Sequence, residues 1–316
     1  MITVFTPTYN RAALLAKCHE SLCVQEMKDF EWIIVDDGST DNTVEKVKGW
    51  MTIATYEDGQ AICGVSEKGG FAITLVRQEH GGKHRAWNLA AQCAKGELFF
   101  VLDSDDQLLP FSLQYISELY DTVRDNPEFG GVAAQKGHFD GRVFGPNSIS
   151  GTEDMSFLER KYIKGKKGDK CEVYRTDIIK AFPHPEIEDE VFCPESLVWN
   201  RISTRYKLRY SERIVYLCEY LPGGLTSQAT RRRMTNPVAT LMTYSELVGY
   251  DIPFLYKCRA AINFHRFGAC LRNDECINGT DNGKPVRKPH VGWIWYLLWP
   301  IGRWMNRRDR RMVAKK

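Results

Sequence analysis

The chain has 316 residues, enough for one large α/β domain or two smaller ones. Apolar residues make up 43% and charged residues 26%, an ordinary soluble balance, and a net charge of +3 is too small to imply a nucleic-acid partner. Ten cysteines, none in a CxxC pair, lie scattered through apolar segments as buried free thiols do, which suits a reducing, cytoplasmic setting and argues against structural zinc. Cys258, His265, Cys270 and Cys276 match no standard zinc spacing.

The chain opens on Ile2-Thr3-Val4-Phe5, a strand pattern rather than a signal peptide. Thr6-Pro7-Thr8-Tyr9-Asn10 is expected to break that strand. Ala12 to Glu26 carries Leu14, Leu15, Cys18 and Leu22 at helical spacing. Trp32–Val35 predicts a second strand, ended by Asp36-Asp37-Gly38-Ser39-Thr40-Asp41. Thr43 to Met51 predicts a helix capped by Asp41. Residues 52 to 70, Gly-rich and weakly patterned, read as an inserted hairpin or loop. Phe71–Val76 is a third strand, followed by His80-Gly81-Gly82-Lys83 and a helix from His84 to Ala94; His80 and His84 read as surface or capping residues. Leu98–Leu102 is a fourth strand, and Gly131–Gln135 a fifth.

Asp103-Ser104-Asp105-Asp106 follows the fourth strand directly. Three carboxylates within four residues repel one another at short range. Either a divalent cation with oxygen ligands relieves them, or they form a solvated turn capping the helix that begins near Pro110. Strands alternating with helices imply a mostly parallel, doubly wound sheet, in which ligands sit beyond the carboxyl ends of the strands. The polar clusters obey that rule, each following a strand.

Past residue 135 the alternation decays. Residues 137 to 169 are loop-like and rich in glycine. Lys170–Arg175 predicts a strand and Thr176–Ala181 a short helix. Pro183 to Pro194 is acidic and Pro-rich, Glu195 to Thr204 helical, and Val215–Glu219 a strand. From about residue 226 the chain reads as helical and more basic, with Arg231-Arg232-Arg233.

Thr6-Pro7-Thr8-Tyr9-Asn10-Arg11, Val35-Asp36-Asp37-Gly38-Ser39-Thr40-Asp41, Gly81-Gly82-Lys83 with Asn88, and Asp103-Ser104-Asp105-Asp106 together resemble the family 2 glycosyltransferases, over roughly residues 1 to 225. The resemblance implies the GT-A fold, a doubly wound, mostly parallel sheet with helices on both faces, here with a C-terminal helical extension. Residues 1–110 would be the nucleotide-sugar-binding half, 111–225 the acceptor-binding half of the same domain, and 226–316 the basic, aromatic extension. The implied activity is inverting, hexosyltransferase-type transfer from a nucleotide-diphosphate sugar, a UDP-sugar by family habit. The acceptor would be a hydroxyl on a sugar or lipid-linked saccharide, in cell-surface polysaccharide or glycolipid synthesis. The implied cofactor is Mn2+ or Mg2+.

The same resemblance assigns roles. Thr6, Pro7 and Tyr9 would line the nucleotide pocket, with Tyr9 near the base, and Asp37 would accept a hydrogen bond from the base. Lys83 would approach the donor. Asp103, with Ser104, would contact the ribose or metal, and Asp105 would be the main metal ligand. Inverting transfer also needs a carboxylate that takes the acceptor proton. In the family it lies in a Glu-Asp pair before a helix bearing a Trp and an Arg. Glu195-Ser196-Leu197-Val198-Trp199-Asn200-Arg201 matches by spacing, with Glu195 where the family has Asp. That departure keeps the carboxylate and lengthens its arm by one methylene. A carboxylate in a helix's first turn also stays ionised, as a base must. Glu188, Asp189 and Glu190 are rivals. Asp169, in Lys167-Gly168-Asp169-Lys170, is an acceptor contact or part of a charged turn.

Two other classes stay open. A sugar nucleotidyltransferase usually opens with a Gly-rich basic loop, which Thr6–Arg11 lacks. A non-catalytic nucleotide-sugar-binding relative would more often have lost some acids. At the C-terminal end, residues 291 to 316 join Trp293, Trp295, Trp299 and Trp304 to Arg303, Arg307, Arg308, Arg310, Arg311, Lys315 and Lys316. That mixture predicts peripheral attachment to an anionic membrane, at its inner face for a cytoplasmic enzyme. A core-packing helix with a solvated basic tail is the other reading. No apolar stretch reaches the roughly 20 residues of a membrane span.

Overall fold

The N-terminal half alternates as its sequence periods require: β1 (Ile2–Thr8), α1 (Ala12–Cys23), β2 (Phe30–Asp36), α2 (Thr43–Lys48), the hairpin β3 (Met51–Glu57) and β4 (Ala61–Ser66), β5 (Ala72–Arg77), α3 (Lys83–Cys93) and β6 (Leu98–Val101). The computed structural model describes residues 1–57, 61–146, 149–219, 228–271 and 277–313. Cys276, Lys315 and Lys316 therefore lie outside the described residues. After β6 come β7 (Gln107–Leu108), α4 (Ser112–Asp121), β8 (Phe129–Gly137), β9 (Thr152–Met155), β10 (Lys170–Arg175), α5 (Thr176–Ala181), β11 (Glu186–Ile187), α6 (Glu195–Ile202) and β12 (Lys207–Leu217).

The main sheet runs β3-β4-β5-β2-β1-β6-β10-β8-β12-β7, with β9 also on β12. Strands β5, β2, β1 and β6 pair in parallel, and β8 and β12 run the same way beyond the reversed β10. Every residue of β2 is buried, as a central strand covered on both faces demands. Side chains alternate between two cores. Val4, Trp32 and Ile34 meet Leu15 of α1, Val47 of α2 and Ile116 of α4. Phe5, Ile33 and Val35 meet Trp87 of α3, Ile178 of α5 and Val198 of α6. The expected GT-A arrangement of a mixed, mostly parallel sheet between helical layers is thus the observed one.

Several local expectations change. β1 does not break at Thr6 but pairs with β2 through Thr8. Pro7 is tolerated because it faces the β6 side of β1, as Phe5 does, and β6 has ended at Val101. Segment 137–169 is not all loop: it holds β9 and a π-helical turn at Glu159–Ile163. β12 starts at Lys207, eight residues before the expected Val215, and its register shifts between Tyr210 and Ile214. For the segment 52–70 the hairpin is the reading that holds: β3 pairs antiparallel with β4, and β4 with β5, extending the sheet edge.

The C-terminal extension is α7 (Ala229–Thr235), α8 (Pro237–Gly249), α9 (Phe254–Gly268), β13 (Gly279–Asp281), β14 (Lys284–Pro285), a 3-10 turn (Trp293–Leu298) and α10 (Trp299–Val313). It is tied to the sheet domain rather than tethered to it. α8 packs on Ile187, Cys193 and Leu197, and α8 with α9 packs on Leu158 and Tyr162. Arg201 of α6 holds Glu246 of α8 (Nη2–Oε1 2.6 Å) and Asp281 of β13 (Nη1–Oδ1 2.7 Å). Among the described residues no helix is long and apolar enough to cross a membrane.

Candidate active site

The carboxyl ends of β1, β2, β5, β6, β8 and β12 open on one edge of the sheet, and the N-terminal end of the reversed β10 joins them. The loops there are stitched together by short polar side chains. Asn10, in a left-handed conformation at φ 51°, accepts hydrogen bonds from the Thr40 and Asp41 amides (2.8 and 3.2 Å). Asp41 accepts from the Thr43 amide at 3.0 Å and from the Ala12 amide at 3.2 Å, so it ties the starts of α2 and α1 together, although the residue at the N-cap of α2 is Asn42 rather than the expected Asp41.

Asp37 is buried, and its carboxylate accepts from Gln78 Nε2 (2.7 Å) and the Gly81 and Gly82 amides (2.8 and 2.9 Å). Both oxygens are thus engaged by the protein itself, and Asp37 anchors the loop 78–82. His80 Nδ1 lies 2.9 Å from the same carboxylate, and the exposed Tyr9 ring stacks on His80 at 4.2 Å. Thr6 does not reach the cleft: it is fully buried, and its hydroxyl accepts from Trp32 Nε1 at 2.9 Å. Pro7 is half-buried at the strand end.

The three acids after β6 do not converge on one point. Among the described residues no three His, Cys, Asp or Glu side chains form a metal cluster, at this edge or at Cys258, His265 and Cys270. Each acid has its own partner. Asp103 Oδ1 accepts from Lys83 Nζ at 2.6 Å, and Asp105 Oδ2 pairs with Arg11 Nη1 at 2.9 Å. Asp106, buried, accepts from the Tyr216 hydroxyl at 2.6 Å, and that hydroxyl oxygen accepts from the Asp103 amide at 3.0 Å. Tyr216 of β12 therefore fixes the turn from across the sheet. Burial, then the nearby Asp103 charge, pushes the Asp106 carboxyl up to about 7. Burial is the largest influence and opposes the charge of Asp103, but Lys83, Lys136 and Arg11 together hold the carboxyl below its usual value. Lys136, at the end of β8, lies over the Tyr216 ring at 4.3 Å; burial disfavours its charge, yet Asp103 and Asp106 hold its pKa above normal. Ser104 is buried, with Arg11 Nη1 at 3.5 Å from its hydroxyl.

Lys83 is the junction of the site. It is the first residue of α3, and its Nζ also pairs with Glu195 Oε1 at 2.9 Å. Burial works against the Lys83 charge, but Asp103 and Glu195 together raise its pKa above the ordinary lysine value. Glu195 is the first residue of α6 and stays open to solvent. Its position follows from a contact between loops. Gly82, at φ 91°, lies so close to Val191 that a Cβ there would sit 2.0 Å from the Val191 carbonyl oxygen. Asn88 of α3 clamps the preceding stretch, donating to the His184 carbonyl (2.9 Å) and to Glu186 Oε1 (2.7 Å).

Of the rivals to Glu195, Glu190 is committed to another role. Glu190 is buried and accepts from the Val238 and Ala239 amides (2.6 and 2.9 Å), so it caps α8. Glu188 and Asp189 are exposed, Asp189 in a left-handed turn at φ 65°. Asp169 is exposed just before β10, on the same sheet edge as Asp103. Trp199 is a core residue, stacked on Tyr174 at 4.7 Å. His84 is buried rather than on the surface. The sequence reading assigned no role to Arg11, Lys136 or Tyr216; the sheet-edge rule could have found Lys136, a cation at the end of an apolar strand.

Residues 3–179 match the family model described as glycosyl transferase family 2. The chain belongs to this family. Among curated relatives, it is 34% identical over 107 residues to glycosyltransferase GlyG of Streptococcus pneumoniae, a match covering 34% of this chain and 30% of that protein. It is 30% identical over 114 residues to chondroitin synthase of Pasteurella multocida, covering 36% of this chain and 10% of the synthase. The chain thus matches less than a third of either relative's length. Among solved structures, TarS 1-349 of S. aureus in complex with UDP-GlcNAc superimposes with a TM-score of 0.58 at 19% identity, over 84% of this chain and 72% of that one. A mannosyltransferase from Pyrobaculum calidifontis in complex with GDP-Man and Mn2+ gives 0.54 at 17%, over 96% and 73%. At these identities the structures share the fold with this family 2 glycosyltransferase.

Proposed function

We propose that this family 2 glycosyltransferase transfers a sugar, with inversion, from a UDP-sugar to an acceptor hydroxyl on a saccharide. The observation that carries the reading is the Lys83 bridge, with Nζ 2.6 Å from Asp103 and 2.9 Å from Glu195. It draws a donor-side carboxylate and a base candidate to one cation, so both reacting partners meet at the same point. Tyr9 stacked on His80 offers an exposed aromatic face for the nucleotide base. Asp103 and Asp105 supply hard carboxylate oxygens, the donor set that suits Mg2+ or Mn2+ shared with phosphate oxygens; two protein ligands suffice for such a site. Asp103 and Asp105 would hold such a cation, whose charge would offset that of the leaving diphosphate.

Glu195 then removes the proton from the acceptor hydroxyl as its oxygen attacks the anomeric carbon. The bond from that carbon to the diphosphate oxygen breaks on the opposite face. Lys83 and Arg11 are cations within reach of the same acids, and they add countercharge to the departing diphosphate. Asp169 shares the sheet edge and is the acceptor contact in this reading. The test is thermal stabilisation of the purified chain by UDP with Mn2+, compared with nucleoside triphosphates, followed by slow hydrolysis of a panel of nucleotide sugars. UDP with Mn2+ should stabilise the chain, Asp105→Ala should remove the metal-dependent part, and one UDP-sugar should be hydrolysed. Stabilisation by triphosphates alone would point instead to nucleotidyl transfer.

A further inference from the structure

α10 is amphipathic in the reverse of the usual sense. Its inward face is small and polar: Gly302, Asn306 and Asp309 are buried against α9. A Cβ on Gly302 would come within 2.6 Å of His265 Cβ, Asn306 donates to Cys270 Sγ at 3.2 Å, and Arg266 Nη2 donates to Asp309 at 2.8 Å. Away from that face Ile301 and Trp304 are exposed beside Arg307, Arg308 and Arg311, and Trp299 is exposed at the helix's first turn. In a helix that only caps a water-soluble protein, the apolar stripe faces the core.

The exposed apolar surface extends to other elements. Trp293 is 83% exposed and Leu297 76% in the preceding 3-10 turn. Leu255, 81% exposed, and Phe254, 69% exposed, add the first turn of α9, with the Phe254 ring 5.8 Å from Trp295. The patch therefore joins two segments some forty residues apart in the chain. Beside it, α10 has a groove of about 460 Å³ lined by Trp304, Arg307, Arg308, Arg311 and Met312. The neighbouring carboxylate, Asp309, is buried and already held by Arg266, and among the described residues no carboxylate forms an ion pair with Arg307, Arg308 or Arg311.

We propose that Phe254 and Leu255 of α9, the 3-10 turn and the outer face of α10 form one interfacial docking surface for an anionic lipid bilayer. Large aromatic and aliphatic side chains enter the headgroup region, and the flanking arginines meet lipid phosphates. Charge decides between occupants. A two-fold interface between copies of this chain would set the same arginine row against itself, whereas an anionic bilayer complements it.

The test is flotation of the full chain with phosphatidylcholine vesicles, with and without phosphatidylglycerol. Binding should require phosphatidylglycerol and weaken with salt. Leu255→Glu and Trp293→Glu should each weaken it about tenfold. Reversing Arg307, Arg308 and Arg311 together to Glu should weaken it roughly a hundredfold. These positions are exposed, so an unchanged melting temperature shows that the fold is kept. Leu255→Glu separates a two-segment surface from a simple basic tail: if it leaves vesicle binding intact, the proposal fails. It fails equally if the wild type ignores phosphatidylglycerol, or if it instead forms dimers that Leu255→Glu dissolves.

Discussion

Lys83 shows how one side chain organises a cleft of repelling acids. Asp103 and Glu195 are drawn to one ammonium, and the base candidate is held where an acceptor can meet it. Glu195→Gln should keep UDP binding and lower transfer by about 10²–10⁴-fold, the usual contribution of a general base. Near-normal turnover in that variant would move the base to Glu188 or Asp189, since Glu190 is committed to α8. Lys83→Met and Asp103→Asn should not add. Their double-mutant cycle in thermal or urea unfolding should give a coupling of about 1 kcal/mol, the size for a pair partly open to solvent. A coupling of zero would mean the bridge does not form in solution. Residue type and place put Asp103, Asp105 and Lys83 on one sheet edge, and the structure brings Lys83 to both Asp103 and Glu195. The partners of Thr6 and Asp37 were not legible, because Trp32 and the loop 78–82 claim their polar atoms from outside their own segments. Tyr216 was equally hidden, as its partner lies 110 residues away in the chain.

At the scale of elements, two loops are kept in contact by the absence of a side chain. Gly82→Ala would add a Cβ 2.0 Å from the Val191 carbonyl oxygen at a φ of 91°. Gly165 has a similar left-handed φ, 63°, but open space around it. Gly165→Ala should therefore cost only the backbone strain, about 1 kcal/mol. Gly82→Ala should cost more and should reduce transfer more than UDP binding, because it shifts the segment leading to Glu195. Equal losses of stability and activity in the two variants would refute this. The apolar runs Trp32–Val35 of β2 and Leu98–Val101 of β6 were legible because burial on both faces leaves no polar gaps within them. The first half of β12 was not: Lys207, Arg209, Glu212 and Arg213 interrupt it, and the register shift after Tyr210 breaks its alternation. β9 was hidden for a related reason, since only Met155 of its four residues is fully buried.

For the whole molecule, the buried imidazoles of His19, His84, His184 and His265, each lowered first by burial, set a dependence on pH. Burial, then the neighbouring His184, lowers His84 to about 3. Burial, then Lys83, lowers His184 to about 3, and burial, then Lys68, lowers His19 to about 4. Each folded value lies below the ordinary imidazole value of about 6.5, so at mildly acid pH the unfolded chain binds protons that the folded chain does not. The stability these groups contribute is present above about pH 6.5 and is lost as pH falls toward the folded values. Each group adds a slope of up to about 1.4 kcal/mol per pH unit in that window. Asp106, pushed up to about 7, takes up a proton on folding over the same window and offsets about one histidine's share, so urea midpoints measured from about pH 7 down to about pH 5 should still fall, and His184→Phe should flatten the fall by one group's share. A flat profile would show that these histidines do not control acid stability.

The sequence by itself determined the alternation of strand and helix, the sheet edge on which the polar loops gather, and the carboxylates most suited to a site. Local periodicity and residue type are properties of short segments, so the chain displays them directly. Only the tertiary structure decided which acid meets which cation, that Glu190 caps a helix, and that Phe254 and Leu255 join the aromatic patch of the C-terminal turn. Those outcomes depend on contacts between distant segments, and pairing energies of charged or buried groups act through space rather than along the chain.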